Sequence, residues 1–141
     1  MIHQVAAFPR RRAGEIDELI CTILAGESRP LSAYDLAGHA SKNGRRVVAA
    51  QVYRTLARLV GQGRVLRIEM LGAYVPRPPT ADLCLVCLEC HAVQLIENPA
   101  LRVIHTDAIG RRFRLAAAPV EAGGLCGTCA DGASVEHRPN S

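Results

Sequence analysis

Aromatic residues and long apolar runs are scarce in this 141-residue chain. It has no tryptophan, and aromatic residues make up only 4% of the sequence, so any core is built mainly from aliphatic side chains. No apolar run approaches the roughly 18 residues of a membrane span, and no charged-then-apolar leader opens the sequence. We therefore expect a soluble, cytoplasmic protein with one or two modest cores and no membrane partner.

Lysine is nearly missing as well, although the chain carries 17 basic residues against 13 acidic ones. Lys42 is the single lysine. Every other cation is arginine, whose planar fork suits contacts with phosphate and guanine. The residues before Val75 carry a net charge of +5, and those after it carry −1. The positive half is therefore the half that suits a nucleic-acid partner.

Cysteine, in contrast, is patterned. The knuckles Cys87-Leu-Glu-Cys90 and Cys126-Gly-Thr-Cys129 are separated by 35 residues. Two residues between the sulfurs let both thiolates of a knuckle reach one ion at about 2.3 Å, and four such ligands close a tetrahedral shell. A closed shell is structural, so we predict one Zn²⁺ per chain that stabilises the fold and performs no catalysis. Because Cys84 continues the even spacing, spacing alone leaves open which two of the three proximal cysteines pair.

Helical periodicity predicts three helices in the N-terminal half. The first covers residues 15–24, and Ser32 with Asp35 three residues later predicts the start of a second helix at residues 33–41. The third covers residues 47–60. Its apolar stripe consists of five residues at helical spacing, Val48, Val52, Leu56, Leu59 and Val60.

The polar face of the third predicted helix carries the argument for DNA. Gln51, Arg54 and Arg58 point away from the apolar stripe, and Tyr53 lies at its boundary. A short helix, a turn and a longer arginine-bearing helix form the helix-turn-helix that sets its second helix in the major groove. We therefore expect these four residues to face DNA. Phosphate contacts that fix the register are expected from three further arginines, Arg45, Arg46 and Arg67.

The rest of the pattern predicts a wing, a linker and a small second module. Short strands at 65–70 and 74–75 flank Gly72 and would form the wing of a winged helix. The proline-rich stretch 76–79 breaks regular structure and predicts a stiff linker. Beyond it we predict a strand at 92–97, a helix from Asn98 to Gly110 and a strand at 113–120.

With these features the chain resembles the ferric uptake regulator (Fur) family, and within it most closely the zinc uptake regulator (Zur) branch. The likeness covers nearly all of residues 15–130 in order. It is carried by LSAYDL (31–36), QVYRTL (51–56), the strand pair leading to Tyr74 and Val75, VCLECHAV (86–93) and VEAGGLCGTC (120–129).

The resemblance implies a homodimeric, metal-responsive transcriptional repressor of α+β fold. It implies a winged-helix DNA-binding domain at 1–76, a proline-rich hinge at 77–83, a small zinc-bound α/β dimerisation domain at 84–133 and a loose tail at 134–141. Tyr53 and Arg54 would contact an imperfectly palindromic, A·T-rich operator in double-stranded DNA. Aligned with the family motif, the ligands of the structural zinc would be Cys87, Cys90, Cys126 and Cys129.

The sequence departs from the family at the second, sensing metal site. The positions where Zur-like proteins place sensing ligands hold Leu66, Arg77, Thr80 and Leu95, none of which binds zinc. A glycine after the first knuckle has also become histidine. A second regulatory metal would need a site rebuilt from other residues, for which the candidates are Cys84, Asp82, His91 and His105.

Two other hypotheses stay open. The signal of a Fur-like regulator could be oxidation of Cys84, or another metal, in place of zinc. The knuckles could instead hold iron in a rubredoxin-like electron carrier whose N-terminal half binds another protein. Catalysis is not expected, because the chain lacks a His-x-Glu deaminase motif and a nucleophile with a partnering base. No small-molecule substrate is therefore predicted.

Overall fold

The computed structural model describes residues 14–42, 46–116 and 118–133. Arg45, one of the predicted phosphate contacts, lies outside these ranges. The elements in chain order are α1 (Glu15–Gly26), α2 (Ala33–Lys42), α3 (Ala49–Gly61), β1 (Val65–Ile68), β2 (Ala73–Pro76), β3 (Leu83–Cys87), β4 (Val93–Ile96), a 3-10 turn (Pro99–Leu101), α4 (Arg102–Gly110), β5 (Val120–Gly124) and α5 (Gly127–Ala133). The predicted α+β class is confirmed.

The three N-terminal helices enclose an aliphatic core. Ile20, Leu36 and Leu56 contribute one fully buried side chain from each helix. The predicted cap of α2 is present: the Ser32 hydroxyl accepts from the Asp35 N–H at 3.1 Å, and the Asp35 carboxylate accepts from the Ser32 N–H at 3.0 Å. This reciprocal pair satisfies backbone donors at the helix start, so a purely local signal fixes where α2 begins.

Helix α3 buries a narrower stripe than the sequence predicts. Val52, Leu56 and Leu59 are fully buried, and Thr55 is buried beside them. The prediction for Val48 is wrong, because Val48 is the N-cap residue and about half exposed. The N-cap residue lies outside the helical repeat, so its side chain does not follow the apolar stripe.

The wing hairpin is shared between two hydrophobic cores. β1 and β2 pair antiparallel, with Leu66 opposite Val75 and Arg67 opposite Tyr74. Val65 and Tyr74 pack into the helical core. Leu66, Ile68 and Val75 pack with Cys84 and Val86 of β3, and this second set is called the junction cluster below. Because side chains alternate across a strand, one hairpin contacts both halves of the chain.

The C-terminal half is a three-stranded sheet in the order β4-β3-β5. β3 pairs antiparallel with β4 and parallel with β5, with Cys87 opposite Gly124. The strand predicted at 113–120 is wrong, since β5 begins only at Val120. Apolar residues in an exposed connection produced that false pattern: Phe113 is mostly exposed.

The predicted helix start at Asn98 is present, because the Asn98 side chain accepts from the Ala100 N–H at 3.1 Å.

One contact between α1 and α3 was not predicted. Arg58 reaches back to Asp17, with Nε donating to Oδ2 at 3.2 Å and a second guanidinium nitrogen donating to Oδ1. Asp17 is buried on α1, so its charge needs this partner. Arg58 therefore ties two helices together, while its side chain stays 51% exposed.

No helix in the described ranges is both long enough and apolar enough to cross a membrane.

Ser32→Ala is expected to lower the free energy of unfolding by about 1 kcal/mol, because it leaves a backbone donor of α2 without its cap. Urea denaturation of the zinc-loaded protein measures the change. Ser41→Ala is the matched control: its hydroxyl only donates to the Ala37 carbonyl of the same helix, so a change within about 0.5 kcal/mol is expected. Equal losses in the two variants would contradict the capping role.

Candidate metal centre and nucleic-acid interface

Parallel pairing of β3 and β5 brings the two cysteine knuckles together. The carboxyl ends of parallel strands lie at the same edge of a sheet. Cys87 ends β3, and Cys126 follows two residues after the end of β5. The sulfur atoms of Cys87, Cys90, Cys126 and Cys129 all lie within 4.8 Å of one another. The family register of the proximal knuckle is thus the one the fold assembles, and Cys84 is not part of the cluster.

The spacing of the sulfurs fits a tetrahedral metal site. The Cys90 and Cys126 sulfurs are 3.7 Å apart, and a tetrahedron with metal–sulfur bonds of about 2.3 Å has edges of about 3.8 Å. A disulfide requires about 2.05 Å, and all six cysteines are free thiols. Four thiolates with no oxygen or nitrogen ligand suit Zn²⁺ in a closed structural site.

The backbone around Cys87 prepares it as a thiolate. The N–H groups of Cys126 and Cys90 point at the Cys87 sulfur and lower its pKa to about 6; the Cys90 N–H lies 3.5 Å from that sulfur. Hydrogen bonds to the charged form of a thiol stabilise it.

A turn at His91 closes the knuckle. His91 has a left-handed φ of 63°, and its N–H donates to the Cys87 carbonyl. His91 thus shapes the knuckle through its backbone, and its side chain is exposed.

The outer face of α3 presents two of the predicted DNA contacts. Tyr53 is 47% exposed and Arg54 is exposed. Within the described part of the chain, no hydrogen bond or ion pair holds the Arg54 guanidinium. Gln51 is half-buried one turn earlier. An unengaged guanidinium on an exposed helix face is free to form a bidentate contact with a base or a phosphate.

Sequence reasoning missed Tyr34 as part of this surface. Its ring is 71% exposed on α2 and meets the Tyr53 ring edge to face, with centroids 6.3 Å apart and planes at 88°. The contact orients Tyr53 on α3 and extends the exposed face onto α2. Its signal in the sequence was an aromatic residue on the polar side of a short capped helix.

The remaining predicted phosphate contacts differ from one another. Arg46 is exposed just before α3. Arg67 projects from the wing and pairs with Glu69 two residues later. An exposed pair of this kind is weak, so Arg67 can exchange Glu69 for a phosphate.

Cys84 does not have the surroundings of a redox thiol. Its side chain is fully buried in the junction cluster. Burial raises the pKa of Cys84 to about 11, and the negative charge of Glu121 adds to that shift. Reactive cysteines are partly exposed and have lowered pKa values. Cys84 is therefore a small buried residue of β3.

The predicted sensing residues are not brought together. Asp82 and His105 line the same pocket. The Asp82 carboxylate, however, accepts from the Asn98 N–H at 2.9 Å and lies 3.7 Å from the Arg102 guanidinium. Among the residues described, the four knuckle cysteines form the one group of three or more potential ligands that is close enough to hold an ion. The rebuilt sensing site is thus not assembled in this structure.

We expect iodoacetamide to modify Cys84 only after denaturation, because the native thiol is both buried and protonated. Peptide mass spectrometry of the zinc-loaded protein follows the reaction. The half-buried Cys21, which lies outside the zinc cluster, is the internal control and should react first. Modification of native Cys84 at the rate of a free thiol would restore it as a redox candidate.

No family model matches the chain. Among characterised proteins, it is 27% identical over 124 residues to the zinc uptake regulation protein of Escherichia coli (strain K12), covering 84% of this chain and 72% of that protein. The Shigella flexneri zinc uptake regulation protein matches to the same extent.

Solved structures agree in fold. A zinc uptake regulator complexed with zinc and DNA superposes with a TM-score of 0.75 at 26% identity, covering 87% of this chain and 86% of the other. The structure of holo XcZur gives a TM-score of 0.71 at 25% identity, covering 83% and 85%. The ferric uptake regulator from Francisella tularensis with iron shares the fold, with a TM-score of 0.64 at 15% identity over 88% of this chain and 98% of that one. In sequence and in fold, the chain is thus similar to zinc uptake regulators, and it shares its fold with a ferric uptake regulator.

Proposed function

We propose that the protein is a zinc-responsive transcriptional repressor that binds palindromic double-stranded DNA as a homodimer. One observation carries the proposal: exposed Tyr53 and unengaged Arg54 occupy the outer face of α3, in a fold shared with a zinc uptake regulator complexed with zinc and DNA. Arg54 has no intramolecular partner in the described ranges, which supports a contact with another molecule.

The surface suits the major groove. Helix α3 is 13 residues long and so about 20 Å in length. An α-helix with its side chains is about 10–12 Å across, which fits a major groove about 12 Å wide. Arg54 would read a base edge, and Tyr53, oriented by Tyr34, would pack beside it. Arg46 and Arg67 would contact phosphates on either side, which positions the helix without reading sequence. Arg58 has no part in this, because Asp17 holds it.

Exposed apolar residues in the C-terminal half support a homodimer. Val103, Ile109 and Phe113 on and after α4 are each more than 60% exposed. Ile109 and Phe113 line the same surface pocket. Neighbouring exposed apolar side chains are typical of an interface, and a two-fold axis would bury the same surface on both subunits. A dimer presents two copies of α3, so the operator would have half-sites separated by one DNA turn, about 34–36 Å, or a multiple of it.

Zinc in the four-cysteine cluster would stabilise the half of the chain that carries this surface. Cys87, Cys90, Cys126 and Cys129 would hold one Zn²⁺ per chain, joining the ends of β3 and β5. When bound, the ion supplies cross-linking of two segments and neutralisation of thiolate charge, with no position left for a reacting water. Binding of metal and folding of the site are coupled, so loss of zinc removes the dimer and with it tight operator binding.

Cys126→Ser is expected to remove much of the roughly 10 to 16 kcal/mol that a structural zinc contributes, so that β5 separates from β3 and the dimer dissociates. Metal analysis and sedimentation of the purified variant test this. Cys21→Ser is the matched control, since Cys21 lies outside the cluster, and it should keep one zinc per chain. Tightly bound iron with a visible charge-transfer band in the wild-type protein would instead support the electron-carrier hypothesis.

Arg54→Ala is expected to weaken binding to the operator by about 1 to 3 kcal/mol while the dimer stays intact, because it removes a base contact. The operator is the palindrome that the zinc-loaded protein selects from a random duplex pool, and fluorescence anisotropy at fixed salt measures affinity. Arg29→Ala removes the same charge from an exposed loop and serves as control. Equal weakening on operator and random duplex would reassign Arg54 to phosphate, and failure to select any duplex would overturn the function.

A further inference from the structure

The contact between the wing turn and β5 has no role in the function proposed so far. The Glu121 carboxylate accepts from the Glu69 N–H at 2.7 Å and from the Met70 N–H at 2.8 Å. These donors lie in the turn between β1 and β2, and Glu121 lies in β5, on the other side of the proline-rich stretch. Two charge-assisted bonds from one carboxylate to adjacent backbone donors fix both position and direction.

Close packing surrounds these two bonds. A side-chain carbon added at Gly123 would come within 2.6 Å of the terminal carbon of Met70 and 3.1 Å of Leu88. The Met70 side chain therefore lies directly over the backbone of β5. Glu121 is opposite Cys84 in the β3–β5 register, so the bonds adjoin the junction cluster, in which Leu66, Ile68 and Val75 of the wing meet Cys84. The hydrogen bonds and the apolar contacts act on the same two surfaces.

The wing transmits this anchoring to the DNA-binding face. Val65 and Tyr74 of the same hairpin belong to the core that contains Leu56 and Leu59 of α3. A fixed hairpin thus fixes α3 relative to the C-terminal sheet. In a dimer, that angle sets the separation of the two recognition helices, and the helices must match half-sites at a defined spacing.

The side chains at the junction offer no ligand set for a metal ion. The wing side and the sheet side of the junction are aliphatic, apart from the buried thiol of Cys84 and the carboxylate of Glu121. In the ranges that the structure describes, ligand groups gather close enough for an ion only at the four knuckle cysteines. Apolar packing and the two hydrogen bonds are therefore the interactions that hold the wing to the sheet.

We propose that Glu121 is a positioning residue for operator binding, which anchors the wing turn to the C-terminal sheet and so fixes the angle of α3 with no second metal ion at the junction. This inference rests on the proposed DNA-binding function. Glu121 itself does not contact DNA in this scheme, and it acts through the backbone of Glu69 and Met70.

The test compares Glu121→Gln with wild type, each carrying one zinc per chain. Glutamine keeps one acceptor oxygen but places an NH₂ donor opposite a backbone N–H donor, so one of the two bonds is lost. Operator affinity should fall about fivefold or more, the lower bound of usual coupling between sites. Affinity for random duplex should stay unchanged, because phosphate contacts do not depend on the angle. The NMR amide resonances of Glu69 and Met70 should shift, while the dimer and its zinc are retained.

Asp107→Asn removes one negative charge from an exposed position on α4 and controls for charge alone. It should leave operator affinity and both amide resonances unchanged. If Glu121→Gln fails to retain zinc, Glu121→Ala replaces it, since alanine puts no donor opposite the two N–H groups. Glu121 variants that keep zinc and bind the operator as wild type does would overturn the positioning role.

A zinc titration tests the metal-free junction. Wild-type affinity for the operator should be constant from one zinc per chain to a several-fold excess. A second equivalent that binds and tightens the operator complex would overturn this part of the inference. If wild-type protein with one zinc selects no duplex at all, the proposed function has failed, and that result differs from operator binding which ignores Glu121.

Discussion

Parallel pairing of β3 with β5 is the constraint on which the rest of the C-terminal half depends. It places Cys87 opposite Gly124, so that the two knuckles open at one edge of the sheet and their four sulfurs converge. It also places Glu121 opposite Cys84 in the strand register, and from there the Glu121 carboxylate accepts hydrogen bonds from the wing turn. A parallel pair needs a long connection, and here that connection contains β4 and α4, the helix that carries exposed apolar residues. The four-cysteine cluster and the wing contact thus follow from one strand pairing.

The wing hairpin links this sheet to the three N-terminal helices. In a short two-stranded hairpin both faces are available, and in this chain both bury apolar side chains. One face completes the helical core and the other closes the junction cluster. An isolated hairpin is only marginally stable. The wing hairpin is therefore stabilised by packing against both the helical core and the C-terminal sheet. The boundary proposed at residue 76 is a boundary of the chain's regular structure, while the packing continues across it through Leu66, Ile68 and Val75.

The junction cluster gives a physical reason for the departure of this chain from the family pattern. Where the resemblance predicts ligands, Leu66 is buried in the cluster and Leu95 packs against it. Aliphatic side chains at these positions gain from contact and desolvation, and they make burial of a charged ion costly. The same surroundings keep Cys84 protonated. We infer that the interdomain angle is set by packing in this chain and that zinc acts at the knuckles.

The sequence by itself determined the features that depend on neighbouring residues: the helix stripes of α1 to α3, the Ser32–Asp35 cap of α2, the start at Asn98, and the choice of thiolate ligands from Cys-x-x-Cys spacing. These follow from helical period, capping chemistry and metal geometry, all of which act over a few residues. Periodicity failed where exposed apolar residues imitate a strand, as at residues 113–120, and at Val48, whose cap position breaks the helical repeat. The tertiary structure brought two of the three evenly spaced cysteines, Cys87 and Cys90, into the cluster, as the family register predicted. It alone decided that Arg58 pairs with Asp17, that Tyr34 contacts Tyr53 and that Glu121 binds the wing turn. Each of these contacts joins residues that are distant in the chain, or selects among cysteines with the same spacing. The free energy of such contacts depends on burial and on strand register, and no local sequence pattern encodes either.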